Sequence, residues 1–252
     1  MSVALVILAG GKGKRMQEET GDDLPKVLQP FRGKPLIRHL LDGLRAVDAS
    51  IAWPPVIVIG YGGELVQKEL GSEYQYVRQK EQLGTGHATL QARLVLEGKA
   101  EHVLVLYGDH PLVPVAVANT IATTHLAHNN TVTLATVTVD NFDDWRVGLM
   151  NYGRMVRDAD GNLEKIVEYK DAIDAERAAL EVNPGYYCFR ASWLWPHLEQ
   201  LQNVNAQGEY YLTDLVGMAM REGERVETVP IAPRAALGVN TLSDLKRIEA
   251  LL

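Results

Sequence analysis

Between Leu8 and Met16 the chain reads LAGGKGKRM, which packs three glycines and three cations into nine residues. Glycine tolerates positive φ and lets a ligand approach the backbone closely. Backbone N–H groups in such a loop, placed after a buried strand, can surround phosphate oxygens. Arg15, and Lys26 further on, can add charge-assisted bonds to the same anion. The spacing is not that of the NTP-hydrolase phosphate loop, because no Gly-Lys pair has the following Ser or Thr and the earlier glycine. It also departs from the dinucleotide fingerprint, since Gly11 and Gly13 fit but the third position is Met16. On the loop alone, a phosphate site and a tight turn with solvated cations stand level.

Two further stretches bear on the chemistry. In QKEQLGTGHA (79–88), Gly84 and Gly86 can let the backbone reach a flat ligand, and Gln79 can pair with the edge of a base. Taken alone, a glycine-rich helix start is the simpler reading. In LYGDHP (106–111) an apolar strand ends in Gly108-Asp109. Ligands of open α/β sheets sit beyond the carboxyl ends of strands, and a carboxylate there can hold Mg2+ shared with phosphates. The alternative for Asp109 is a strand-capping Asx turn. His110 and His87 lack neighbours at metal-ligand spacing and read as structural.

These residues need elements to hold them. VALVILA (3–9), VIVIG (56–60) and HVLVLYGD (102–109) read as buried strands. Helical periodicity runs from Lys34 to Val47, from Thr85 to Gly98 and from Pro114 to His128. Alternation of this kind predicts an α/β fold, a mostly parallel sheet with helices on both faces. The second half predicts strands at 131–139, 185–190 and 225–231, and a hairpin over 153–171 turning at DADG. It also predicts a helix from Tyr210 to Glu222, and a C-terminal helix capped by Thr241 or Ser243.

Bulk properties exclude some classes. The 252 residues are 46% hydrophobic and 23% charged, ordinary for a globular protein, with a net charge of −7. That balance disfavours nucleic acid and anionic membrane as partners. The apolar start, Val3 to Ala9, is too short for a membrane span and lacks the flanks of a signal peptide. The one cysteine, Cys188, permits no intrachain disulfide and fits a reducing cytoplasmic setting.

Read together, the motifs resemble the bacterial sugar-phosphate nucleotidyltransferases. They are most similar to the uridylyltransferase domains that begin the bifunctional N-acetylglucosamine-1-phosphate uridyltransferases. LAGGKGKRM with LPKVL (24–28), QLGTGHA (82–88), YGDHPL (107–112), IVEYKDA (166–172), AQGEYYLTDL (206–215) and GVN (238–240) fall in the family's order. The resemblance implies a Rossmann-like nucleotidyltransferase fold with an additional small sheet or hairpin on the sugar side. It implies transfer of a uridylyl group from UTP to N-acetylglucosamine-1-phosphate, with Mg2+ as cofactor. Leu8, Ala9, Gly10, Gly11 and Gly13 would contact the nucleotide, while Gln79, Gly84 and Thr85 would read uracil. Arg15, Lys26 and Asp109 would be catalytic. Tyr107, Gly108, Gly153, Glu168 and Asn183 would line the sugar pocket, and Asp109 with Asn240 would hold the metal. The alternative within the class is another sugar-1-phosphate, such as glucose-1-phosphate, or dTTP. A nucleotide-sugar sensor without turnover is the alternative outside it.

Some stretches depart from the family pattern. Residues 17–23 lengthen the link to LPKVL and predict a mobile surface loop. Residues 142–151 look inserted before Gly153 and predict a segment that reshapes or covers the sugar pocket. Pro184 stands where the family usually has Thr, which removes an N–H donor. No hexapeptide repeats of an acetyltransferase β-helix occur. The expected organisation is therefore a single domain, 1–252, with a nucleotide half (1–112) and a sugar half (113–252). It would be a monomer or a small homo-oligomer.

Overall fold

A computed structural model describes residues 2–252. The apolar run Val3–Ala9 forms β1, no residue of which is more than 8% exposed. Along the chain follow β2 (Ile51–Ile59), β3 (Gln75–Arg78), β4 (His102–Tyr107) and β5 (Val132–Thr138). Then come β6 (Gly153–Arg157), β7 (Leu163–Val167), β8 (Glu181–Asn183), β9 (Tyr187–Arg190) and β10 (Val226–Pro230). They join in one sheet of order β3-β2-β1-β4-β9-β5-β8-β6-β7, with β10 on the other edge of β5. A separate two-stranded ladder pairs Pro30–Phe31 with Lys34–Pro35.

The parallel character predicted from the first half holds there, where β1 pairs in parallel with both β2 and β4, and β2 with β3. The second half is mostly antiparallel, and its predicted hairpin, β6–β7, is part of the large sheet through β8. Alternate side chains of β1 feed two cores. Leu5 and Ile7 meet the helices Leu36–Leu44, Gly63–Leu70 and Val115–Ala127. Val6 and Leu8 face the side covered by Thr85–Gln91, Ala191–Leu198 and Asp214–Arg221. Cys188 lies fully buried in β9, paired with Leu104 of β4 and Thr133 of β5.

One feature of the sheet decides where the site lies. A single edge of β5 serves two partners, β9 along Val132–Leu134 and β8 along Val137–Thr138. Residues 184–186 link those partners, and beyond them β9 continues to β4 whereas β8 continues to β6. The sheet therefore forks, and Asn183, Pro184 and Gly185 at the fork line the main cavity.

Several boundaries differ from the sequence reading, each for a local reason. The first long helix starts at Leu36, because Lys34 and Pro35 are held in the two-stranded ladder. The segment predicted as one helix over Thr85–Gly98 breaks at Ala92, whose N–H bonds to the Thr89 carbonyl, and resumes as Arg93–Leu96. The helix predicted from Tyr210 begins at Asp214, because residues 209–212 are bonded to the 83–86 segment instead. Strand β2 reaches back through Trp53-Pro54-Pro55, where the register opposite β1 shifts between Ala4 and Val6. Residues 17–20 belong to a helix, Lys14–Thr20, rather than to a loop. Among the described residues, no helix is long and apolar enough to cross a membrane.

Candidate active site

A cavity of about 390 Å3 opens past the carboxyl ends of β1 and β4 and reaches to the fork. At one end three side chains from distant parts of the chain meet. Lys26 starts a short 3-10 turn after Pro25, and its ammonium forms an ion pair with Asp109 Oδ2. The same ammonium donates to Asn240 Oδ1 at 2.9 Å. Burial pulls the Asp109 carboxyl up, but Lys26 and His110 beside it overcome that pull and hold it below the usual carboxylate range.

Local sequence explains each placement. Asp109 directly follows β4 and the Gly108 turn, and its carbonyl accepts the Val239 N–H at 3.0 Å. Asn240 precedes the N-cap of helix Leu242–Glu249, and Thr241 and Asp244 form a reciprocal capping box there. Asp244 Oδ2 also accepts the Asn240 N–H at 3.0 Å, so the cap that starts the helix fixes the residue reaching Lys26. Gly13 has φ +70°, and a Cβ there would stand 2.6 Å from Lys26 Cβ. The glycine thus lets the lysine stem lie against the loop.

Leu8, Ala9, Gly10 and Gly11 form the wall at the end of β1. Gln79, only 4% exposed, donates from Nε2 to the Gly84 carbonyl at 3.0 Å. A carbonyl can only accept, so the amide nitrogen is held there. Gln79 Oε1 is left beside Gly10, where a Cβ would stand 3.1 Å from it. Gly84 has φ +108°, and a Cβ there would collide with the Tyr210 backbone at 2.6 Å. This glycine therefore admits a crossing segment of the protein itself. That crossing, sealed by Gly86 N–H to the Tyr210 carbonyl at 2.8 Å, delivers Glu209, Tyr211 and Thr213 to the cavity. Thr85 Oγ1 accepts the Leu212 N–H at 3.0 Å on the same crossing.

The far end is a chain of hydrogen bonds. Asn183 Nδ2 donates to the Tyr187 hydroxyl, which donates to Thr213 Oγ1 at 3.4 Å. Thr213 Oγ1 in turn donates to Glu168 Oε1 at 2.6 Å. Burial raises the Glu168 carboxyl above its ordinary range; the Thr213 bond opposes this, and Asp214, Asp171 and Glu209 add to it. Asn183 Oδ1 accepts the Gly185 N–H at 2.9 Å, which shapes the fork. Gly153 lies against Glu168, with a virtual Cβ at 3.5 Å from Oε1.

Comparison with known proteins adds to this geometry. Residues 5–222 match the MobA-like NTP transferase domain. The chain belongs to that family. It is 41% identical over 249 residues to the bifunctional protein GlmU of Exiguobacterium sp. (strain ATCC BAA-1283 / AT1b), covering 98% of this chain and 52% of the relative. It is 44% identical over 247 residues to the bifunctional protein GlmU of Azoarcus sp. (strain BH72), covering 97% of this chain and 51% of the relative. The chain thus spans about half the length of these curated relatives. Among solved structures it is similar to UDP-glucose pyrophosphorylase complexed with UDP-glucose, with TM-score 0.72, 18% identity, and coverage of 100% of this chain and 98% of that one. It is also similar to a CMP:2-keto-3-deoxy-manno-octonic acid synthetase complexed with CTP, with TM-score 0.69, 19% identity, and coverage of 100% and 98%. These structural likenesses bear on the fold, which is the Rossmann-like nucleotidyltransferase fold expected from sequence. The family match marks the chain as carrying an NTP transferase domain.

In this transferase fourteen of the predicted site residues line the cavity: Leu8, Ala9, Gly10, Gly11, Lys26, Gln79, Gly84, Thr85, Tyr107, Asp109, Gly153, Glu168, Asn183 and Asn240. Gly13 supports Lys26 from behind, and Gly108 packs under the floor against Val27 and Leu8. Arg15 is exposed on the helix Lys14–Thr20, outside the cavity wall. Sequence reasoning missed Glu209, Tyr211 and Thr213, although their motif was in view; the signal was the glycine pair opposite. It also read His110 as merely structural, whereas the ring lines the cavity floor and bonds through Nδ1 to the Tyr186 hydroxyl at 2.6 Å. Burial holds this histidine down to about 4, with Asp109 opposing and Lys26 adding to the effect.

The predicted insert is a packed wall. Residues Asp144–Leu149 form a 3-10 helix whose Leu149 is fully buried against the C-terminal helix, and Asn151 and Tyr152 line the cavity. Arg154, 1% exposed, fastens it by donating to the Met150 and Tyr152 carbonyls at 2.7 and 2.6 Å while lying over the Phe142 ring.

Asp109 and Asn240 present oxygens that converge on one cationic centre, the Lys26 ammonium. Hard oxygen donors of this kind suit Mg2+, which completes its shell with water and substrate phosphates. The residues present therefore fit the metal that the family resemblance implies.

Proposed function

We propose that the chain transfers a uridylyl group from UTP to N-acetylglucosamine-1-phosphate, giving UDP-N-acetylglucosamine and pyrophosphate, with Mg2+ as cofactor. One observation carries this reading. Lys26, Asp109 and Asn240 meet at one end of a cavity whose other walls offer an amide edge at Gln79 and a carboxylate at Glu168. Similarity to the GlmU proteins over nearly the whole chain supports it.

The chemistry asks little of the protein beyond placement. The attacking oxygen belongs to a phosphate monoester with a second pKa of about 6, so at neutral pH it is already an anion. Catalysis then consists of aligning two phosphates and neutralising charge as it develops. Lys26 turns its ammonium to the phosphates, and Asp109 and Asn240 would hold the metal. Mg2+ when bound supplies the remaining charge neutralisation at the phosphates. The family resemblance also gives Arg15 a phosphate-facing role, from its exposed place on the helix Lys14–Thr20 outside the cavity wall.

Selectivity follows from which atoms face inward. Gln79 Oε1 accepts from the N–H of a uracil; cytosine offers a ring acceptor there and leaves two acceptors opposed, a mismatch that costs on the order of 1–3 kcal/mol. Glu168 gives one oxygen to Thr213 and keeps the other for a sugar hydroxyl or acetamido N–H. Asn183, at the fork, faces the same sugar. Residues 1–112 serve mainly the nucleotide and 113–252 mainly the sugar, with Asn240 returning to the metal. The substrates are small molecules, and the protein works as a monomer or small homo-oligomer in the cytoplasm.

The deciding experiment is pyrophosphate release with Mg2+ and UTP across a panel of sugar-1-phosphates, with CTP, dTTP and ATP as controls. Release that is fastest with UTP and N-acetylglucosamine-1-phosphate is the expected outcome. Faster release with glucose-1-phosphate or dTTP would overturn the substrate assignment, and no release with any pair would overturn turnover itself.

A further inference from the structure

The Lys26 ammonium touches both oxygens that this reading gives to the metal: it forms an ion pair with Asp109 Oδ2 and donates to Asn240 Oδ1 at 2.9 Å. The pair is built to be held. Gly13 backs the lysine stem, the Asp244 cap fixes Asn240, and Val239 N–H ties that segment to the Asp109 carbonyl. Two positive centres cannot share one pair of oxygens a few ångströms apart without strong repulsion. The lysine and a divalent cation are therefore competitors for the same place.

We propose that Lys26 is an internal counter-cation that keeps the Asp109–Asn240 pair closed to free divalent metal. It yields that place only to a metal arriving with a nucleoside triphosphate. The inference rests on the functional reading above and adds an order of events to it. Two protein oxygens are a small fraction of the shell that a hard divalent cation needs, so most of its ligands must come with the substrate. The triphosphate provides those oxygens. It also provides what the displaced ammonium needs, an anionic partner for its three donors. Exchange of partners then keeps every charge paired: the ammonium leaves a carboxylate for a phosphate, and the metal takes the carboxylate. Without the triphosphate, metal entry would strand the ammonium in a largely buried site, which is strongly unfavourable. The lysine thereby makes metal binding conditional on nucleotide. Its two roles, guard of the metal site and phosphate partner, use one side chain in two positions.

The test is Mn2+ binding by electron paramagnetic resonance, on the whole chain, with and without α,β-methylene-UTP, which cannot release pyrophosphate. Wild type should bind Mn2+ alone weakly, and at least about tenfold more tightly with the analogue present. Lys26→Met keeps the aliphatic stem against Gly13 and removes the charge. It should bind Mn2+ alone at least about tenfold more tightly than wild type. Adding Asp109→Asn to Lys26→Met should abolish that gain, which locates it at this pair. Equal Mn2+ affinity for wild type and Lys26→Met, both folded by circular dichroism, would overturn the proposal. So would a gain that survives Asp109→Asn. Wild type alone keeps the idea testable should the variants not fold: tight Mn2+ binding without nucleotide would sink it. The nucleotide-free comparison assumes nothing about UTP, so its failure is distinct from failure of the pyrophosphate assay.

Discussion

At the residue scale, the ends of the cavity differ in how they were legible. Asp109 could be placed from position alone, since a carboxylate after a buried strand falls where open α/β sheets bind ligands. Lys26 could be placed near the phosphates by its charge, whereas Asn240 came only through family resemblance, because nothing local marks an asparagine before a helix as its partner. Their meeting is a property of the fold. Replacing Lys26 or Asp109 by Ala should lower turnover by at least about 10²-fold, the scale of losing one electrostatic stabiliser. Steady-state pyrophosphate release on variants with wild-type circular dichroism would check this, and near-normal turnover would remove the residue from the mechanism. Gly13→Ala carries a different expectation. The substitution opposes a φ of +70° and sets a methyl group 2.6 Å from Lys26 Cβ. It should cost more than about 1 kcal/mol of stability and lower turnover by shifting Lys26. Urea unfolding beside the same assay would separate the two effects.

At the element scale, periodicity located the strands and helices that carry long apolar runs, and missed those fixed by pairing. Strand β8 has three residues, too few for an alternation to register, yet it closes one limb of the fork. Residues 210–212 read as the start of a helix because their apolar residues continue into the helix Asp214–Arg221, but hydrogen bonds to Leu83, Thr85 and Gly86 tie them across the cavity wall instead. The 142–151 insert gave no signal of what it packs on; Arg154, an arginine in a strand, is what anchors it. Its guanidinium also donates to the Arg177 carbonyl at 3.1 Å and lies over the Tyr169 ring. Arg154→Met leaves buried carbonyls without donors. It should destabilise the chain by on the order of 3 kcal/mol, read as a lower urea midpoint, and should open residues 142–152 to limited proteolysis. An unchanged midpoint would show that the insert holds by its apolar contacts alone.

At the scale of the whole molecule, stability should depend on pH through a buried pair far from the cavity. His102 Nδ1 and His125 Nε2 lie 3.0 Å apart between β4 and the helix Val115–Ala127, and His125 Nδ1 meets Thr133 Oγ1 at 3.0 Å. Burial lowers both rings below the ordinary histidine value, His125 to about 3, with His102 and Arg190 adding to the effect there. The folded chain thus refuses protons that the unfolded chain accepts near pH 6.5. The stabilisation is complete above about pH 6.5 and is lost as pH falls towards about 3. At pH 5 the loss from His125 should be on the order of 1–2 kcal/mol. Urea midpoints at pH 7 and pH 5 measure it, and an equal fall in His125→Asn would assign the effect elsewhere. Nothing in the sequence announced this pair, because the two histidines are brought together by packing of strand on helix.

Cys188 sits in β9 at the middle of the sheet, fully buried, and burial pushes its thiol well above the ordinary cysteine range. As the only sulfhydryl in the chain, it makes the protein its own stopwatch. Its side chain lies in the core beneath the helix Val115–Ala127, so an alkylating probe reaches it only when that layer opens from the sheet or the chain unfolds. In native buffer, labelling should proceed at the rate of global unfolding and quicken in step with added urea. Rapid labelling at zero denaturant would reveal a local route between that helix and the sheet.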